Sequence, residues 1–146
     1  MFFLSSVIFL PLLGGIALLF FPRENVTAIR WTALGVALVE LLLVIILALV
    51  YLQSSIGLFS SSFLTESVPW LPSLGINYSL GVDGISLLLV GLTALLTAIC
   101  IGASFRIEQR VKNYMAFMLL FECGMLGVFL SANLFLFYIF WEVMLI

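Results

Sequence analysis

Apolar stretches long enough to cross a bilayer recur four times along this chain, at about residues 2–21, 31–52, 82–104 and 113–131, with a shorter fifth at 133–146. A helix needs about 20 consecutive apolar residues to span a hydrocarbon core of roughly 30 Å, and in that solvent every backbone N–H and C=O must be satisfied inside the segment. The pattern predicts an all-α fold, a polytopic transmembrane helix bundle of about five spans covering residues 1–146. The fifth run is only long enough for roughly 21 Å of helix, so the last span is expected to be cut short.

Composition removes the other broad classes. With 65% hydrophobic and 8% charged residues, the chain is far from a soluble domain. A net charge of −2 without any basic patch sets nucleic acid aside as a partner. Histidine is absent, which removes the commonest metal ligand and general base. Cys100 and Cys123 each sit inside an apolar run and read as small buried hydrophobes rather than a disulfide or cluster ligands. Neither a GxGxxG fingerprint nor a P-loop occurs, so no cofactor and no electron transfer are expected in this chain. The opening Met1-Phe2-Phe3-Leu4 has no basic region and no small-residue cleavage site follows, so the first run is expected to be a retained span.

Between the second and third runs lies a more polar, serine-rich segment, 53–79, in which Trp70 and Tyr78 suit a membrane interface. Arg23 and Arg30 separate the first two runs, while Arg106, Arg110 and Lys112 separate the third and fourth; the 53–79 segment has no basic residue. All five positive charges therefore fall on one side, which places the N-terminus outside and sends the fifth span inward. Pro11 in the first span removes one helix hydrogen bond and is expected to kink it.

Three glutamates lie within the runs. Glu122 is nine residues from Asn113 and Glu142 nine from Asn133, each roughly 13–14 Å deep at 1.5 Å per residue; Glu40, ten from Arg30, comes to about 15 Å. An acid at such depth costs roughly 2.5 kcal/mol or more to insert, and a carboxyl in low dielectric exchanges its proton when a partner or water approaches, as a proton relay requires. Glu122 and Glu142, at matched depth on consecutive antiparallel helices, are the candidate proton-translocating residues. For Glu40 the favoured reading is an interhelical hydrogen bond that holds the bundle together, with transport chemistry as the alternative. Any cationic partner must come from elsewhere, since no Lys or Arg lies deep in these runs. Asp83 is placed to cap the third helix, Gly124 and Gly127 admit a close neighbour, and the aromatic residues 135–141 are expected to keep Glu142 dry.

The stretches LGVDGISLLLVGLT (80–93), FECGMLGVFL (121–130) and LFLFYIFWEVMLI (134–146), with FLPLLG at 9–14, resemble the antiporter-like membrane subunits of respiratory complex I, in the branch called chain M in bacteria and subunit 4 in mitochondria and plastids. That resemblance implies a proton-translocating, non-redox subunit of an NADH:quinone oxidoreductase, coupled to quinone reduction elsewhere in the complex. NADH, FMN, iron–sulfur clusters and quinone would be held by partner subunits, and the membrane would be a bacterial inner membrane or an equivalent organellar one. By position Glu142 corresponds to the fifth-helix glutamate that pairs in the family with a lysine on a later broken helix, and Glu122 to the fourth-helix acid. Glu40 and Asp83 carry no role over. Because such subunits have about fourteen helices, the chain is expected to represent an N-terminal part that does not pump alone. Related multisubunit Na+/H+ antiporters and membrane-bound hydrogenases supply the alternative reading, and a structural remnant without transport the blandest one.

Overall fold

Helix ends follow the few polar residues that can cap them. In the computed structural model, which describes residues 3–54 and 64–146, Asn25 starts α2 (Val26–Gln53), Asp83 starts α3 (Gly84–Ala103) and Asn133 starts α5 (Leu134–Leu145). Each side-chain oxygen accepts a backbone N–H that the helix itself leaves free: Ala28 at 3.4 Å, Ser86 at 2.6 Å and Phe135 at 2.8 Å. The capping role read for Asp83 is therefore what the structure displays. α1 (Phe3–Leu19) runs as unbroken helix through the buried Pro11, and α4 (Val111–Leu130) follows Arg110, whose φ of 51° turns the chain into it.

α2, the helical run Gly84–Arg106 and α4 are long and apolar enough to cross a membrane; α1 and α5, with 17 and 12 residues, are shorter apolar helices. α4 is the hub and packs against α1, α2, α3 and α5, while α5 leans chiefly on α4. Small residues permit the close approaches. A Cβ on Gly14 would meet the Val36 side chain of α2 at 2.7 Å, and one on Gly15 the Ala116 carbonyl of α4 at 3.3 Å. Gly124 faces the Met144 backbone at 3.5 Å, and Gly127 lies flat against the Phe140 ring. The neighbour expected beside these two glycines is thus α5.

The segment read as a polar loop is partly β-structure. β1 (Leu64–Leu71) and β2 (Ile76–Val82) form an antiparallel hairpin, paired from Leu64↔Val82 to Leu71↔Ile76 with an irregularity between Pro69 and Leu71. Gly75, at φ 68°, closes the turn. Tyr78, Leu80 and Val82 alternate inward on β2, and Leu80 and Val82 join the core. The expected all-α bundle stands, and this small two-stranded hairpin is added to it.

The hairpin and the basic residues occupy opposite ends. At the hairpin end, Ala132 N–H donates to the Ser79 carbonyl at 2.9 Å, and the Asn133 amide to that of Asn77 at 3.1 Å. At the other end, Arg30 donates to the Ile107 carbonyl at 2.6 Å and Lys112 to that of Phe21 at 3.0 Å, while Arg23, Arg110 and Lys112 line one cavity. Aromatic pairs mark both ends, Trp31–Phe105 at the basic end and Trp70–Phe135 at the hairpin.

Candidate functional site

The inward stripe of α2 is Ile29, Ala33, Ala37, Glu40, Val44, Leu47 and Tyr51; that of α4 includes Val111, Met115, Leu119, Glu122, Leu126 and Leu130. These spacings of three and four residues follow one face of a helix, so each glutamate stands where a core leucine would fit. Glu40 and Glu122 are both 0% exposed. Their carboxyls lie within electrostatic reach of each other across the α2–α4 seam. None of their four oxygens has a hydrogen-bond partner among the described residues. The interhelical hydrogen bond expected of Glu40 is therefore not made among the described residues.

Glu142 has a different setting. It is exposed on α5, with Tyr138 one turn earlier as its hydrogen-bonding neighbour. Leu136 and Phe140 turn inward to α4, while Phe135, Tyr138 and Trp141 face outward. The aromatic stretch thus does not enclose Glu142, and the structure brings Glu122 together with Glu40 rather than with Glu142. Which helices face each other was not legible from counting.

A fourth acid escaped the sequence reading. Glu66 of β1 is 6% exposed and reaches the start of α1, accepting the Leu4 N–H at 2.6 Å, the Ser5 N–H at 3.2 Å and the Ser5 hydroxyl at 2.7 Å. Glu66 thereby supplies acceptors for N–H groups of the first turn of α1, which the helix itself leaves free. The Tyr78 hydroxyl lies 3.0 Å from Ser5 Oγ. Burial holds the Tyr78 phenol above its ordinary range, the Ser5 hydrogen bond offsetting part of this and the Glu66 charge adding to it.

Among the described residues no three His, Cys, Asp or Glu gather as a metal site. What the arrangement holds is carboxyl groups, two of them sealed from solvent inside packed apolar helices. This defines a polytopic integral membrane protein with acids inside its bundle. More particularly, the chain belongs to the family described as NADH-ubiquinone oxidoreductase chain 4, amino terminus, which matches residues 33–136. It is 34% identical over 143 residues to an NAD(P)H-quinone oxidoreductase chain 4 of Microcystis aeruginosa, covering 98% of this chain and 25% of that one. It is 37% identical over 145 residues to the chloroplastic chain 4 of Chara vulgaris, covering 98% and 28%. The chain thus spans about a quarter of the length of these relatives.

Among solved structures, it superposes on a chain of the respiratory complex I from Thermus thermophilus with bound NADH, at a TM-score of 0.76 and 26% identity over 97% of this chain and 27% of that one. The fold is also shared with an archaeal membrane-bound sulfane sulfur reductase, at a TM-score of 0.74 and 20% identity over 97% of this chain and 21% of that one.

Proposed function

We propose that this chain forms the amino-terminal part of a proton-translocating, non-redox membrane subunit of an NAD(P)H:quinone oxidoreductase. The observation that carries the reading is Glu122, fully buried in the α4 hub with no hydrogen-bond partner among the described residues. An acid kept at a core position without a structural bond is retained at a cost in stability, and exchange of a proton is the property a leucine there would lack. Glu142, on the outward face of α5, stands ready for a partner on a neighbouring element, with a cation as the complementary chemistry. Redox cofactors and quinone belong to partner subunits, and the site is a bacterial inner membrane or an equivalent organellar one.

The test is proton uptake by sealed vesicles carrying the assembled complex during quinone reduction. Glu122→Gln and Glu142→Gln each lower the number of protons moved per quinone reduced, with assembly unchanged. Unaltered stoichiometry in both variants overturns the proposal, and a sodium-dependent flux indifferent to quinone would move the chain to the antiporter reading.

A further inference from the structure

Resting on that reading, we propose that Glu40 and Glu122 work as one proton-holding pair, with Glu40 as a second proton-carrying residue rather than a structural one. Both carboxyls are sealed from solvent, neither has a hydrogen-bond partner among the described residues, and they lie within electrostatic reach of each other on two helices in direct contact. Four buried carboxyl oxygens without donors call for an explanation, and helix cohesion does not supply one. α2 and α4 are already held by apolar neighbours along the same stripes, and a hydrophobe at position 40 would serve cohesion better than an unbonded acid.

Among the described residues no cation lies beside the pair. α1 and α3, which pack on both helices, contain no Asp, Glu, Lys or Arg, and Arg30 and Lys112 are engaged at the basic end. The ionisable group beside the carboxyls is the Cys123 thiol, within electrostatic reach of both. Two adjacent carboxylates without a counter-charge repel strongly in low dielectric, so the pair is stable only with a proton on at least one member. Because no hydrogen bond joins the two carboxyls directly, transfer within the pair runs through one intervening water: the O–H bond on one carboxyl breaks as the water takes its proton, and the water gives another of its protons to the second carboxyl, where a new O–H bond forms. The negative charge moves the opposite way across the α2–α4 seam, and nothing else is consumed.

Polar groups continue from the pair toward the hairpin; toward the basic end the buried polar residues are Thr97 of α3 and Ser104 at its end. Cys123 is in electrostatic reach of Tyr78, whose hydroxyl meets Ser5 and through it Glu66. In the other direction the stripes are Ala37, Ala33, Leu119 and Met115.

The experiment uses vesicles with the assembled complex, comparing Glu40→Gln, Glu122→Gln and the double variant by proton flux per quinone reduced and by the infrared band of protonated carboxyl groups. Each single variant is expected to cut flux by about tenfold or more, and the double variant no further, since the pair acts as a unit. The infrared band lost in Glu40→Gln is expected to be altered in Glu122→Gln as well. Flux in Glu40→Gln within about twofold of the parent, beside a strong Glu122→Gln defect, overturns the pair, as do defects that multiply or carboxyl bands that respond independently. Should Glu40→Gln not assemble, Glu40→Leu preserves the apolar seam and is read the same way. Normal flux in Glu122→Gln overturns the pair, and normal flux in Glu142→Gln as well would sink the pumping reading, while the infrared bands still decide whether the two carboxyls are coupled.

Discussion

The seam between α2 and α4 and the outward face of α5 each carry glutamate within an apolar helix, in opposite surroundings. In the seam, Glu40 and Glu122 are enclosed by helices on every side. On α5, Glu142 is exposed, since that helix leans on α4 through only one face. The difference teaches that depth along an apolar helix does not decide how an acid is solvated; the neighbouring helices do. Glu66 completes the comparison, for it is buried like the seam acids but fully bonded to the α1 terminus.

Three changes break or sharpen this contrast. The largest effect is expected from Gly127→Leu, whose side chain cannot share space with the Phe140 ring. Overpacking there should cost about 2–3 kcal/mol and detach α5, so that Phe140 and Leu136 become as exposed as Glu142. Labelling of a cysteine introduced at position 136 would report it, and unchanged labelling would contradict the docking described.

Next is Glu66→Ala, which leaves the first N–H groups of α1 without their acceptor and should lower the thermal stability of the solubilised protein by about 2 kcal/mol. Faster proteolysis of the hairpin should accompany it; an unchanged melting temperature would refute the bonded role. The smallest is a sign test between the acids. Glu122→Leu should raise stability by about 1–2 kcal/mol, since it removes an unsatisfied buried group, whereas Glu142→Leu should leave the stability of this bundle unchanged. A loss of stability in Glu122→Leu would mean that the carboxyl has a bonding partner after all.

Much of this fold is written in hydropathy, because a lipid-facing helix is specified by its own residues and needs no distant contact. The five apolar runs, the cap at Asp83 and the gathering of arginine and lysine at one end were all legible for that reason. The hairpin was not. Pro69 and Pro72 interrupt the alternation of residues 64–82, and its inward residues Leu80 and Val82 merge with the apolar start of α3. The site was legible in part. The burial of Glu40 could be read from its place in a stripe of threes and fours, yet its pairing with Glu122 depends on α2 meeting α4, which is a property of packing. Glu66 lay beyond reach because its partner, the α1 terminus, is more than sixty residues away.

The hairpin also has a mechanical consequence. It grips α1 through Glu66, runs directly into α3, and is laced to the α4–α5 link by the Ala132 and Asn133 hydrogen bonds. At one rim, then, α1, α3 and the α4–α5 link are held to the hairpin, whereas the opposite rim is tied through arginine and lysine stems. Helices held at one rim would tilt about it rather than slide along their axes. For a helix about 30 Å long, a tilt of about 5° displaces the far end by roughly 2.6 Å and the near end hardly at all. On that geometry the hairpin would be the fulcrum and the basic rim the end that travels.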